Sequence, residues 1–537
     1  MNRLLPFIFA SSALISFEAN SQCAPATASA ELNVNNVKTT ILNSGDMWWD
    51  LQGSAKYEVP KGSGVNALFA GSIWIGGLTS TSELKLAAQQ YRSKGNDFYP
   101  GPLDQNGNLI GSNCMLWDRV FQVSKEEIQD FKDFSVLSSN VRDWPAKGNA
   151  NISAPMQDLA PFIDVDMDGV YDPSKGDYPD IKGDQAVWWV FNDVGNLHTE
   201  SGGGQIGIEV QVMAYAFATN NQLNNATFYD YTLIKKSQGF LHNSYVGFFV
   251  DGDLGNPNDD FAASHRTKRM GIVYNGDPID ENSGFSTGYG LNPPAIAYQI
   301  IKTPNDATGN PAELSSVMTP YNGTSPTSDP NNASEYYNYM KGVWRDGTPA
   351  TMGGNGYDRS NGTLYPFMYD LSIDSLNWTE CEANNSAHDR RLLLSVGPLN
   401  MEQNISMKFT NAVLWTRDTA AIDCGNLDFV TGAVDSMNVQ LEQELNKAPL
   451  SSNELVSDAP KIFPNPASDK VFVELNSTDD FKNVELYDLQ ARLVSAEIVA
   501  VDDHSFMLNT RNLKDGIYFL SLNYSDRRSI SKLIVKH

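Results

Sequence analysis

The chain has 537 residues and a formal charge of -26, from 38 Lys and Arg against 64 Asp and Glu. At roughly 150 residues per domain there is room for two to four domains. Such an excess of negative charge repels nucleic-acid phosphates and anionic lipid headgroups, so neither is an expected partner, whereas cations are.

In chain order, Met1-Asn2-Arg3 precedes an apolar run over residues 4–17, and Ala19-Asn20-Ser21 stands before Gln22. This is the charge, apolar length and small-residue cleavage site of a secretory signal peptide over residues 1–21. The residues before Cys23 lack the Leu and small residue of a lipid-modified cysteine, so no lipid anchor is expected. No later segment approaches the roughly 18 consecutive apolar residues of a membrane span, so no transmembrane segment is expected in the mature chain. Cys23, Cys114, Cys381 and Cys424 remain after cleavage. Two disulfides, with three connectivities open, suit an exported chain; proximity favours Cys381 with Cys424, and free buried thiols are the alternative.

Residues 22–446 read as mainly β, a β-sandwich or jelly roll of one or two subdomains with few helices. Ser124-Lys125-Glu126-Glu127 is a capping box opening a short helix toward Phe131. Trp48-Trp49 and Trp188-Trp189 offer aromatic platforms to a glycan, but adjacent strand residues face opposite ways. At most one of each pair points outward, and packing is the default. Ile206, Ile208, Val210 and Val212 alternate with Gly207, Glu209 and Gln211, which predicts a strand with one buried face. Further strands are predicted at 228–234, 245–250, 392–396 and 406–415. Val430, Val434, Met437, Leu441 and Leu445 recur at helical spacing and predict a packed amphipathic helix.

The strongest site signal is Asp164-Val165-Asp166-Met167-Asp168-Gly169-Val170-Tyr171-Asp172. Alternating carboxylates set three oxygens on one side of a loop, Gly169 permits the sharp turn, Val170 offers its carbonyl, and Asp172 stands at the ninth position, often filled through water. Lys175 occupies the twelfth position, where an EF-hand has a bidentate Glu, so this is no complete EF-hand. The loop resembles instead the calcium loops of thrombospondin type 3 repeats and dockerins, with Asp177 and Asp180 available to close the shell. Structural calcium bound over residues 164–180 is the expectation, against an unoccupied acidic turn. Asp251, Asp253, Asp259 and Asp260 form a second acidic cluster without regular spacing, read as a solvated turn ahead of a calcium site.

Enzyme-like patterns are weak. Gly202-Gly203-Gly204-Gln205-Ile206-Gly207 has G-x-G-x-x-G spacing but precedes a strand, where a dinucleotide fingerprint opens a helix. Gly284-Phe285-Ser286-Thr287-Gly288 has the spacing of a nucleophile elbow, yet polar Asp280-Glu281-Asn282-Ser283 leads into it instead of an apolar strand. The six histidines include no pair at zinc spacing. Paired carboxylates for glycoside hydrolysis meet only in three dimensions, so they are not legible here. No catalytic residue is assigned, and a non-enzymatic role is favoured.

Residues 447–459, KAPLSSNELVSDA, are polar and aperiodic, as in a linker. Residues 460–537 carry 10 basic and 11 acidic side chains, so the acidity belongs to the passenger ahead of them. Strands at 471–475, 483–488, 506–508, 516–523 and 529–535 predict a small immunoglobulin-like β-sandwich. Ile462-Phe463-Pro464-Asn465-Pro466-Ala467 before a Val-x-Val strand, Val484-x-Leu486-Tyr487-Asp488, Leu513-x-x-Gly516-Ile517-Tyr518 and a closing Lys532-Leu533-Ile534-Val535-Lys536 appear in that order. This tail resembles the type A C-terminal sorting domain of type IX secretion substrates, from which the extra His537 departs. The resemblance implies recognition by the outer-membrane translocon, removal of the tail by a surface sortase, often attachment to surface lipopolysaccharide, and a secreted or outer-membrane cell-surface location.

Within the passenger, Phe69-Ala70-Gly71-Ser72-Ile73-Trp74-Ile75-Gly76-Gly77-Leu78, Gly95-Asn96-Asp97-Phe98-Tyr99-Pro100-Gly101-Pro102, Asp253-Leu254-Gly255-Asn256 and Tyr289-Gly290-x-Asn292-Pro293-Pro294-Ala295 resemble a recurrent module of large exported proteins with the same tail. That module brings no activity with it. The expectation is a calcium-stabilised structural, adhesive or binding protein, with a glycan or surface ligand as partner; a secreted hydrolase of polysaccharide or protein is the alternative.

Overall fold

Runs of β-branched and aromatic residues build two large antiparallel sheets in the first unit of the chain. The computed structural model describes residues 23–446 and 460–537, except 93, 112–113, 285, 307, 361, 374–377, 419–425, 476–480, 489–491, 503 and 525–527. The signal peptide at 1–21 and the linker at 447–459 lie outside the described residues. Two units divide the chain, Met1–Glu444 and Leu445–His537.

The 10-stranded sheet runs in the order Leu314–Met318, Arg391–Met401, Leu241–Asp251, Ala70–Leu78, Asp46–Met47, Lys38–Leu42, Tyr57–Glu58 and Asn66–Leu68, with Ser29–Leu32 and Leu84–Ala88 paired alongside. The 9-stranded sheet runs Asp260–His265, Met270–Asn275, Ala295–Lys302, Ser406–Thr416, Ala226–Lys235, Ile208–Ala216, Gln185–Asn192 and Tyr99–Pro100, with Phe121–Ser124 also on Gln185–Asn192. Ile73, Ile75, Val246, Phe248 and Val250 of the first sheet share one core with Trp189, Val210, Val212, Tyr229 and Tyr231 of the second. The larger unit is therefore a β-sandwich, as expected.

Both outer faces are covered as well. Trp188, Val190, Met213, Tyr215 and Phe228 pack with Ile128 of the helix Lys125–Phe134 and with Val430, Val434, Met437 and Leu441 of the helix Asp428–Leu445. On the opposite side, Trp74, Phe249 and Leu393 pack with Tyr336, Tyr339 and Met340 of the helix Ala333–Met340. The first helix starts at the expected capping box: Glu127 N–H donates to Ser124 Oγ (3.1 Å) and Ser124 N–H to Glu127 Oε2 (2.9 Å). In Asp428–Leu445 the buried stripe ends at Leu441, and Leu445 is exposed.

The covering layers overturn the expectation of a strand with one buried face, because all nine residues of Ile208–Ala216 are buried. Glu209 keeps its carboxylate in the interior by accepting from Leu103 N–H (2.7 Å) and Gln211 Nε2 (2.8 Å), with Lys236 Nζ 3.7 Å away. The tryptophan pairs are likewise buried on both sides, so none presents an outward platform. Trp48 Nε1 donates to the Tyr229 hydroxyl (2.8 Å) and Trp189 Nε1 to the Ser44 carbonyl (3.1 Å). Cys23 and Cys114 form a disulfide across 91 residues. Cys381 is also disulfide-bonded, and its expected partner Cys424 lies outside the described residues.

The second unit is a smaller sandwich of two four-stranded sheets. One runs Lys461–Phe463, Lys470–Glu474, Ser505–Asn509 and Ile498–Asp502; the other runs Leu493–Val494, Phe481–Asp488, Gly516–Tyr524 and Arg528–Val535. Val471, Val473, Leu486, Phe506, Leu508, Leu520, Leu522, Leu533 and Val535 fill the space between them. The opening and closing motifs are joined directly. Asn465 donates from Nδ2 to the Lys532 carbonyl (2.9 Å) and accepts at Oδ1 from Ile534 N–H (2.8 Å). Ala467 N–H donates to the Ile534 carbonyl, and Lys536 N–H donates to that of Ala467, both at 2.8 Å. His537 docks on Asp515, whose Oδ1 accepts its backbone N–H at 3.0 Å.

Candidate functional site

The acidic loop lies between Phe162–Ile163 and Tyr178–Pro179, two short paired strands that fix its ends. A carboxylate oxygen from each of Asp164, Asp166 and Asp168 lies within 4.8 Å of the others. The chain turns this tightly through left-handed backbone at Met167 and Gly169 (φ 61° and 77°). Asp164 accepts from Gly169 N–H (2.7 Å) and Asp168 from Val170 N–H (2.8 Å). Asp172 caps the short turn Pro173–Lys175 by accepting from Ser174 N–H (3.0 Å).

Asp177 stands apart from the converging three. It is buried and engages one oxygen with Val165 N–H (2.8 Å) and the other with Asp172 N–H (2.9 Å), so it holds the loop's two limbs together. Burial raises its carboxyl above the ordinary range despite those bonds. Lys175 folds back over the cluster, bonding Asp168 and lying 3.2 Å from Asp166 Oδ2. Its hydrogen bond holds the Asp168 carboxyl below the ordinary range.

The second acidic cluster is reassembled by the fold. Asp251, Asp253 and Asp389 each bring a carboxylate oxygen within 4.8 Å of the others, whereas Asp259 and Asp260 go elsewhere. Asp260 accepts from Leu254 N–H (3.0 Å) and Asp259 from Asn256 Nδ2 (3.0 Å). Asp251 ends its strand opposite Arg391 and is 3% exposed. The Arg391 guanidinium reaches three acids: Nε lies 3.3 Å from Asp251 Oδ2, Nη2 lies 3.0 Å from Asp389 Oδ2, and Nη1 bonds Asp329. Burial drives the Asp251 carboxyl well above its ordinary range and that of Asp253 up to about 7. The solvated turn expected here is therefore an interior charge cluster.

Asp389, Asp329 and Arg391 escaped the sequence reading because Arg391 is 140 residues from Asp251. The one available signal was the charged run His388-Asp389-Arg390-Arg391 leading straight into an apolar strand. Beside the cluster, Tyr321, Asn322, Asn385, Ser386, His388, Asp389 and Arg390 line an open cleft of about 270 Å³.

Among the described residues, neither enzyme-like pattern brings a base to a nucleophile or opens a helix. Gly202 and Gly207 take positive φ (67° and 75°) in the turn before Ile208–Ala216. Phe285 of the elbow pattern lies outside the described residues, and Ser286 Oγ lies 2.7 Å from another hydroxyl, Ser283 Oγ. His198 is buried with its ring nitrogens 2.7 Å from the carbonyl oxygens of Leu86 and Asp193, which makes it part of the scaffold.

The described architecture is a large β-sandwich unit followed in sequence by a smaller sandwich tail. Residues 461–536 match the family model described as the secretion system C-terminal sorting domain. The chain is a type IX secretion substrate whose tail engages that machinery, and it is delivered to the cell surface or the extracellular space. Among the described residues, no helix is long and apolar enough to cross a membrane. Comparison with curated proteins gives no match. Of solved structures, a polysaccharide lyase aligns at 7% identity over 61% of this chain and 34% of its own, with a TM-score of 0.17. The chain thus corresponds to about a third of that lyase. A biofilm associated protein, BSP domain, aligns at 11% identity over 99% of this chain and 84% of its own, with a TM-score of 0.15. Alignments this loose carry no argument about activity.

Proposed function

We propose that the exported passenger is a calcium-stabilised structural, adhesive or binding protein of the cell surface, with a glycan or another surface component as its ligand. The observation that carries this reading is the convergence of Asp164, Asp166 and Asp168 within 4.8 Å on a tightly turned loop. A hard cation seeking six to eight oxygens is served by these three, by the Val170 carbonyl and by Asp172 through water. Asp177, already committed to two backbone amides, holds the loop in shape. Lys175 is partly exposed, so calcium displaces its ammonium into water at small cost. Removal of residues 1–21, release of the tail by a surface sortase and attachment to lipopolysaccharide belong to the same reading.

Calorimetric titration of calcium into the chelator-stripped chain tests it, with thermal melting in parallel. Binding with a raised melting temperature, lost in Asp166→Ala plus Asp168→Ala, supports the reading; unchanged binding in that variant removes the loop from it. A secreted hydrolase of polysaccharide or protein is the second reading, favoured by the open cleft that Asp389 and His388 line beside the Asp251 cluster. Hydrolysis of polysaccharide or casein substrates that disappears in Asp389→Asn supports it.

A further inference from the structure

The Asp251 cluster is short of positive charge and of hydrogen-bond donors. One guanidinium, that of Arg391, faces Asp251, Asp329 and Asp389, and Asp253 adds a further carboxylate to the group. Arg391 spends its three nitrogens on Asp251 Oδ2, Asp329 Oδ2 and Asp389 Oδ2. The remaining oxygens, Asp251 Oδ1 and Asp389 Oδ1, are buried and meet no hydrogen-bond donor among the described residues. Native interiors rarely leave such atoms unpaired, and an interior carboxylate without a counter-charge is costly. The two unpaired oxygens belong to two of the three carboxylates that converge within 4.8 Å. Oxygens bound to one calcium at about 2.4 Å are at most about 4.8 Å apart, so the spacing suits a shared ion.

We propose that Asp251, Asp253 and Asp389 form a partly buried site for a hard divalent cation, calcium by its ligand chemistry, that locks the end of the strand Leu241–Asp251 to the start of Arg391–Met401. Asp389 also lines the open cleft, which supplies the way in. Carboxylate oxygens select a hard ion, and three acids brought together from a strand end and two separate connecting segments fit calcium better than magnesium, which demands near-octahedral geometry. The site shares no residue with the loop at 164–177, so the two readings stand or fall separately.

The test begins with the full chain carrying Asp166→Ala and Asp168→Ala, which leaves the buried cluster intact. Stripped with chelator and titrated with calcium chloride, it is expected to bind one ion per chain and to melt at higher temperature when loaded, with magnesium giving a smaller rise. No binding by this chain overturns the proposal without touching the buried residues. Adding Asp253→Asn or Asp389→Asn is expected to weaken that binding roughly tenfold or more, since affinity follows the count of charged ligands. A circular dichroism spectrum matching the parent in chelator establishes that these variants fold; undiminished binding in such folded variants equally overturns the site.

Discussion

Arg390 and Glu380 lie fork to fork in the interior, with Nε 2.7 Å from Oε1 and Nη2 2.9 Å from Oε2. Their side chains are 2% and 0% exposed. Glu380 Oε1 also accepts from Ala262 N–H (3.0 Å), and Arg390 Nη2 donates to the Ser386 carbonyl (2.7 Å), so the pair ties the segment before Arg391–Met401 to the strand Asp260–His265. Glu380→Ala strands a buried guanidinium and a backbone amide together. The expected loss is on the order of 3–5 kcal/mol, read from urea denaturation midpoints. A loss under about 1 kcal/mol, the size of a surface pair, would show that the ion pair does not hold the fold.

The Cys23–Cys114 disulfide closes a long loop and secures the first described residue, whose N–H also donates to the Gly195 carbonyl (2.8 Å). Cys23→Ser with Cys114→Ser is expected to cost on the order of 2–5 kcal/mol, since the unfolded chain regains the freedom of that loop. Oxidised wild type and the double variant, melted side by side, give the difference; equal midpoints would remove the bond from the account of stability.

Glu200 carries a pH dependence of calculable sign. It is buried beneath Tyr336, whose hydroxyl donates to Oε1 (3.3 Å), and burial pushes its carboxyl up to about 7 although Lys94 and Gly95 amides bond it. The folded chain holds a proton that the unfolded chain releases near 4.5. Its contribution is therefore fully present below about pH 4.5 and is lost as pH rises through about 7. Relative to Glu200→Gln, wild type is expected to lose on the order of 2–3 kcal/mol between about pH 4.5 and 8. Urea titrations at intervals across that range measure it, and a constant difference refutes the sign argument.

Lys175 supplies a gain-of-affinity prediction for the acidic loop. It stands at the twelfth position, where other calcium loops carry a closing carboxylate, and its ammonium lies against Asp166 and Asp168. On the proposed calcium reading, Lys175→Glu removes a competing cation and adds a ligand. Calcium affinity is expected to rise roughly tenfold or more by ligand charge count, as read by calorimetry. Unchanged or weaker affinity, or no binding at all, counts against an ion held between Lys175 and the three aspartates.

Local signals in the chain were enough for the capping box at Ser124, the helix through Val430 and Met437, and the tail motifs, because each rests on contacts between near neighbours or on a recognisable order of short strands. The aspartates at 164, 166 and 168 were legible for the same reason, since a turn at Gly169 brings residues two apart together. Tertiary structure decided what depends on distant partners. Glu209 reads as solvent-facing until the helices at 125–134 and 428–445 cover its sheet, with Leu103 and Lys236 meeting its carboxylate. Cys23 reaches Cys114 across 91 residues, a pairing that the sequence left as one of three connectivities. Asp251 leaves its sequence neighbours Asp259 and Asp260 for Asp389 and Arg391, because antiparallel pairing of Leu241–Asp251 with Arg391–Met401 sets residue 251 opposite residue 391. Strand register acts across the whole chain, and no local pattern of residues encodes which strand becomes the neighbour.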